Sequence, residues 1–101
     1  MTSIPVLLIT FNRPEHTRKV LESVLKSNTL DLYVFQDGAR VKHAKDIEKC
    51  VKVRQVVENV IIGSRIHLHT LYSECNLGCG PGPMTAMNWF FSENEMGIII
   101  S

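Results

Sequence analysis

The chain has 101 residues, of which 45% are hydrophobic and 21% are charged. This length suits one compact domain, and the apolar fraction is high enough to form a core, which argues against disorder and against a second independent core. Lys and Arg total 11 and Asp and Glu total 10, giving a formal net charge of +1. The chain therefore lacks the strong basic field that would indicate nucleic acid as a partner.

Cysteine content and the N-terminal apolar segment bear on the cellular compartment. Three cysteines are an odd number, and the chain has enough apolar residues to fold without cross-links, which favours reduced thiols. Residues 4–11 are too few to cross a bilayer, and no basic segment precedes them. We expect a cytoplasmic protein with no transmembrane segment, which reaches the inner face of a membrane only through parts outside this sequence.

The N-terminal quarter predicts a buried strand and a helix. Residues 4–11 are nearly all apolar and rich in branched side chains, as in strands buried on both faces of a parallel sheet. Asn12 then stands where it can cap a helix, with Glu15 at the reciprocal position of a capping box. Apolar residues recur at helical spacing to about Lys26, which indicates a helix lying on a sheet.

The next segment predicts a second strand and a second helix. Residues 32–35 are apolar, and the Asp-Gly pair at 37–38 is a turn signal. From about Ala44 to Val60, apolar residues recur at helical spacing. The buried face is expected to contain Ile47, Cys50, Val51, Val57, Val60 and Ile61, and the outer face Lys45, Asp46, Glu48, Lys49 and Lys52.

The last third of the chain predicts a strand, a loop, a helix and a strand. Residues 66–72 alternate between apolar and polar, as in a strand near a sheet edge. Glycines and prolines make residues 76–83 a loop, and Met84 and Met87 then mark the core face of a third helix. Residues 97–101 predict a buried, central strand.

The element order predicts an α/β fold, with a mostly parallel sheet, right-handed crossovers and helices on both faces. A buried central strand is rarely the last element of a natural domain. We therefore expect residues 1–101 to be a single, truncated N-terminal portion of a longer domain.

Polar side chains follow the predicted strands at the edge where open parallel sheets bind ligands. Thr10, Asn12 and Arg13 offer a hydroxyl, an amide and a guanidinium beside a helix N-terminus, which suits a nucleoside and its phosphates. Capping alone would also explain Asn12. Asp37 can accept hydrogen bonds from a base or ribose, and Gly38 can let the backbone approach a ligand, although an ordinary turn explains both.

Other polar residues give weaker signals. Arg40 could reach a diphosphate or be a solvated loop cation. Asn76 opens a glycine-rich loop that has neither the dinucleotide fingerprint nor the Walker lysine and hydroxyl pair, which disfavours a nicotinamide enzyme and a P-loop ATPase. His67 and His69 share a strand face, but spacing supplies no third ligand, and the two loop cysteines lack a second pair, so a metal site is weakly supported.

Three short motifs in a fixed order carry a resemblance to a known family. They are Ile9-Thr10-Phe11-Asn12-Arg13-Pro14, Val34-Phe35-Gln36-Asp37-Gly38-Ala39 and Asn76-Leu77-Gly78. Because of these motifs and their order, the chain resembles the N-terminal, nucleotide-binding half of GT-A fold glycosyltransferases, especially the family 2-like group. The resemblance covers essentially all 101 residues. Family 2 enzymes typically have two acidic residues and a Ser at the second motif. The Gln-Asp-Gly-Ala form here is more similar to the N-acetylglucosaminyltransferases of protein-linked glycans.

The resemblance implies an enzyme that transfers a sugar from a nucleoside diphosphate sugar, such as a UDP-sugar, to a hydroxyl of a saccharide or protein-linked acceptor, with inversion at the anomeric carbon. It implies a Mn²⁺ or Mg²⁺ ion and a general base, both supplied by residues beyond Ser101. No catalytic residue is therefore named in this chain, and the 101 residues alone are expected to be inactive. The donor-binding residues that it implies are Thr10, Asn12, Arg13, Asp37, Gly38 and Asn76.

The element order also permits a different class of protein, a flavodoxin-like or receiver-type regulatory domain that binds a partner and catalyses no transfer. Such a domain needs an acidic cluster after the first strand. This chain has Thr10, Asn12 and Arg13 there, so we place the regulatory alternative second.

Overall fold

A computed structural model describes residues 3–101, which form a four-stranded sheet and three helices. The α/β fold class is confirmed, and strands and helices alternate along the chain as predicted. No helix within residues 3–101 is long and apolar enough to cross a membrane. The strands are β1 (Val6–Thr10), β2 (Asp31–Gln36), β3 (His67–Tyr72) and β4 (Ile98–Ile100), and the helices are α1 (Pro14–Lys26), α2 (Ala44–Ile61) and α3 (Pro81–Glu93).

The sheet is wholly parallel and has the strand order β3-β2-β1-β4. This is the order of Rossmann-like sheets, whereas in flavodoxin-like sheets the third strand lies beside the first. The observed order therefore gives no support to the regulatory alternative. The order reverses between β1 and β4, and such a switch point is where doubly wound sheets bind ligands, outside the carboxyl ends of the strands.

Helices cover both faces of the sheet. Because successive side chains of a strand point to opposite faces, Leu8 packs with α1 and α2 while Leu7 packs with α3. The core under α1 and α2 comprises Val6, Leu8, Leu21, Val24, Leu32, Val34, Val53, Val56, Val57 and Ile61. The core under α3 comprises Leu7, Tyr33, Phe35, Ala86 and Phe90.

The two outer strands differ in how well they were predicted. The alternation of β3 predicts an edge strand, and β3 is one. Within residues 3–101, β4 pairs only with β1, and Ile98 and Ile99 are 50% and 41% exposed, so the predicted burial of β4 is not found there. Its central position in a longer domain stays a prediction. A short unbroken apolar run contains no periodicity, so its sequence cannot distinguish an edge from a centre.

The buried face of α2 is partly the predicted one: Cys50, Val57 and Ile61 are buried and Val60 packs against the core, whereas Val51 is 47% exposed. Asp46, Cys50, Val53 and Val57 point inwards, whereas Ile47 is 64% exposed. Asp46, predicted to lie outside, is only 3% exposed. Burial of a carboxylate is costly unless it is paired and hydrogen-bonded, so its surroundings must supply partners.

Helix α3 begins at Pro81, earlier than the predicted loop 76–83 allows. Prolines fit the first turn of a helix because its N–H groups have no intrahelical acceptor. Met84 is 59% exposed, so its predicted place in the core is wrong, whereas Met87 packs against the core under α3.

Candidate functional site

A cleft of about 800 Å³ lies at the carboxyl ends of β1 and β4. This volume is within the range of small-molecule sites, about 300–1,000 Å³. Five of the six predicted donor-binding residues line it: Thr10, Asn12, Arg13, Asp37 and Asn76. Parallel strands thus bring together side chains that lie far apart in the sequence.

Asn12 lines the cleft but does not cap α1. The N-cap position is occupied by Arg13, and no side chain makes a capping hydrogen bond. Asn12 Nδ2 instead donates to Asp46 Oδ1 at 3.0 Å, so the predicted capping box of Asn12 and Glu15 is wrong. The Asn12 amide donates to a charged acceptor on α2, which is a stronger hydrogen bond than one between neutral groups. The first N–H groups of α1 are therefore left without a side-chain partner.

Asp46 joins three segments of the site. Its Oδ2 accepts from the backbone N and Nε of Arg40 at 3.1 and 2.7 Å, and its Oδ1 accepts from Arg40 Nη2 at 3.1 Å. The side-chain hydrogen bonds from Arg40, more than any other cause, hold the pKa of Asp46 well below its usual range. The carboxylate is therefore ionised at neutral pH.

Arg40 lines the cleft, and its side chain is 46% exposed but also bound within the protein. Its guanidinium is bound to Asp46 and lies over the ring of Phe11, 5.6 Å from the centroid. Of the guanidinium nitrogens, only Nε and Nη2 donate to Asp46, so Nη1 can donate to a diphosphate while that pair stays intact. The charge of Arg40 is largely compensated within the protein.

Asp37 accepts hydrogen bonds from the loop that follows β3. Its Oδ1 accepts from the N–H groups of Gly38 and Leu77 at 2.8 and 2.7 Å. Its Oδ2 accepts from the N–H of Gly78 and from Asn76 Nδ2, at 3.0 and 3.3 Å. A carboxylate has about four acceptor sites, and all are occupied. The predicted contact of Asp37 with a base or ribose stays a prediction, and a ligand would have to displace one of these bonds.

Gly38 is the one predicted donor-binding residue that does not line the cleft. A Cβ at this position would lie 2.6 Å from the carbonyl carbon of Cys75 and 2.7 Å from its oxygen. The close approach that requires glycine is therefore between two loops, not between the backbone and a ligand. Asn76 Nδ2 closes the same contact by donating to the Gly38 carbonyl at 2.9 Å.

Gln36 supports the floor of the site and was not predicted to do so. It is fully buried, and its Nε2 donates to the carbonyl groups of Phe11 and Cys50 at 3.1 and 2.8 Å. Its Oε1 accepts from Arg54 Nε at 2.6 Å. An ionised carboxylate could not donate to two carbonyls, which explains physically why a neutral amide suits this position.

Arg13 and the N-terminal ends of two helices lie at the cleft. Arg13 is exposed, and the ion pairs found within residues 3–101 do not involve it. The cleft reaches the N-termini of α1, at Arg13, and of α3, at Gly82, and neither helix has a side-chain cap. At α3, Pro81 and Pro83 have no N–H, and those of Gly82 and Met84 donate to the carbonyls of Gly78 and Gly80 at 3.0 and 3.3 Å, so α3 contributes only its dipole. The first-turn N–H groups of α1 beyond Pro14, the two helix dipoles and the Arg13 guanidinium are groups that suit a phosphate or carboxylate.

The structure does not combine the candidate metal ligands into a site. In the described part of the chain, no group of three or more His, Cys, Asp or Glu residues could hold a metal ion. His69 stacks on Tyr33 with ring centroids 4.1 Å apart, and its Nε2 lies 3.1 Å from Asp31 Oδ1. The ion that the resemblance implies, bound through residues beyond Ser101, stays a prediction.

Fold and cleft together define an α/β protein with a Rossmann-like sheet and a cleft at its switch point. No protein-family model, curated protein or solved structure matches this chain significantly. The resemblance to GT-A glycosyltransferases therefore depends on the motifs of this sequence, and function must be argued from the cleft.

Proposed function

We propose that the cleft binds the nucleoside diphosphate of an activated sugar, and that this chain is the donor-binding portion of a GT-A glycosyltransferase. The convergence of Arg13, the uncapped first turn of α1 and the positive end of the α3 dipole on one cleft carries the proposal. A diphosphate is the anion that such a site suits, because it accepts several hydrogen bonds from N–H donors at once. The three family-like motifs all reach this cleft, which supports the same reading.

In this proposal the phosphates lie beside Arg13 at the N-terminus of α1, and Thr10, Asn12 and Asn76 surround the nucleoside. During transfer the bond between the anomeric carbon and the diphosphate breaks, and the acceptor oxygen forms a new bond to that carbon. Arg13 and the helix dipoles stabilise the charge that develops on the leaving diphosphate. The acceptor proton goes to a general base that the described residues do not identify.

The proposal is tested by following backbone amides by NMR while uridine, UDP, GDP and their sugar conjugates are added, each with and without Mg²⁺. We expect shifts confined to residues 10–16 and 76–82 with the diphosphates, and much weaker binding of uridine, which lacks the anion. Shifts spread over the whole surface, or none with any nucleotide, would contradict the proposal.

A further inference from the structure

We infer that Asp46, which lies outside the predicted motifs, is a positioning residue that fixes the Asn12 amide with its oxygen towards the cleft. Asp46 is 3% exposed and joins the loop after β1 to the loop after β2 through Asn12 and Arg40. The part of the inference that concerns a nucleotide rests on the function proposed above. The geometric part concerns side chains of this chain alone.

The direction of the Asn12 amide follows from the chemistry of its partner. An ionised carboxylate can only accept hydrogen bonds, so Asn12 must turn its NH₂ group towards Asp46. Asp46 remains ionised because Arg40 donates three hydrogen bonds to it. The two ends of the amide can then no longer exchange, and Oδ1 of Asn12 is directed away from α2 into the cleft that Asn12 lines.

Asp37, the acidic side chain among the residues that line the cleft, cannot serve as readily as an acceptor. Asp37 already receives four hydrogen bonds from the protein. A ligand N–H in the cleft therefore finds the amide oxygens of Asn12 and Asn76, whose NH₂ groups are both bonded to the protein, as side-chain acceptors. Arg40 is paired with Asp46, and Arg13 is the cleft arginine that the ion pairs of the described residues do not involve.

Asn12 oriented in this way would distinguish between nucleobases. Uracil and guanine carry a ring N–H on the Watson–Crick edge, whereas cytosine and adenine carry a bare ring nitrogen there. An Oδ1 that faces this ring position bonds to the former and meets the lone pair of the latter, whose exocyclic amine lies one position further along the edge. A polar contact left unpaired lowers affinity. We expect UDP and GDP to bind roughly tenfold more tightly than CDP and ADP.

The test uses Asp46→Asn, which keeps the size of the side chain but offers both a donor and an acceptor, so that Asn12 can turn either way. Glu48→Gln is the matched control, because it removes an exposed carboxylate from the same helix. Two quantities are measured: the side-chain NH₂ resonances of Asn12 without ligand, and the ratio of the dissociation constants of CDP and UDP. Asn12→Ala is the second variant, since it removes the acceptor and leaves the Asp46–Arg40 pair intact.

We expect Asp46→Asn to move the Asn12 resonances towards those of a solvated amide and to lower the CDP/UDP ratio by roughly threefold or more. Asn12→Ala should abolish base discrimination, and Glu48→Gln should change neither quantity. Unchanged Asn12 resonances, or an equal loss of affinity for all four nucleotides, would overturn the inference. The wild-type chain could bind no nucleotide while Asp46→Asn still moves the Asn12 resonances as expected. The proposed function would then fail, and the orientation of Asn12 by Asp46 would be supported.

Discussion

Single buried polar side chains hold the cleft in shape. Gln36, Thr17 and Asp46 are 0%, 1% and 3% exposed, yet each has a hydrogen-bond partner on another segment. Thr17 reaches the hydroxyl of Thr10 at 2.9 Å, which ties the end of β1 to α1. Buried polar groups cost free energy unless they are paired, so each of these contacts favours one arrangement of the loops.

Gly38→Ala should destabilise the protein by about 1–3 kcal/mol, because the new methyl group would overlap the backbone of Cys75, which cannot move aside as a flexible side chain could. Urea denaturation followed by circular dichroism measures the change. Gly80→Ala is the control, since nothing lies within 4 Å of a Cβ at Gly80. Equal free energies of unfolding for the two variants would contradict the role assigned to Gly38.

The strands and helices could be predicted from the sequence, whereas the side-chain contacts between them could not. The apolar run of β1 and the helical spacing in α1 are local signals, and both elements formed where predicted. The cap at Asn12 failed because its acceptor, Asp46, lies 34 residues away in the chain. Local sequence cannot reveal such a partner.

The face of α2 shows what a closer reading of the spacing could have found. Asp46, Cys50, Val53 and Val57 form one stripe at intervals of four, three and four residues, and this stripe is buried. A charged residue that falls on an apolar stripe is a signal for a buried, paired carboxylate. The hydrophobicity of Ile47 predicted instead that the neighbouring face of α2 is buried, but Ile47 is exposed.

Val53→Ala should lower the free energy of unfolding by about 2 kcal/mol, because the side chain is 1% exposed and its loss removes two buried carbon atoms and leaves a small cavity. The matched variant, Val51→Ala, changes a side chain that is 47% exposed on the same helix. It should be close to neutral, since alanine is the better helix former. The opposite ranking in urea denaturation would mean that α2 packs through another face.

Over the whole molecule, topology creates the cleft. The reversal of strand order between β1 and β4 opens a crevice at the carboxyl edge of the sheet, and the loops after β1, β2 and β3 all reach it. For this reason five of the six residues predicted from strand ends and from the family-like motifs lie in one cleft. The loops' mutual hydrogen bonds could not be predicted, because they depend on how the three loops meet.

The most direct measurement is the calorimetric affinity of the chain for UDP, compared among the wild type, Arg13→Ala and Arg18→Ala. Both arginines are exposed, but Arg13 lines the cleft and Arg18, on the same helix, does not. We predict that Arg13→Ala weakens binding about tenfold or more, the effect of losing a charged hydrogen bond, while Arg18→Ala leaves it nearly unchanged. Equal affinities for the wild type and Arg13→Ala, or no binding of UDP by the wild type, would contradict a nucleotide cleft at this edge of the sheet.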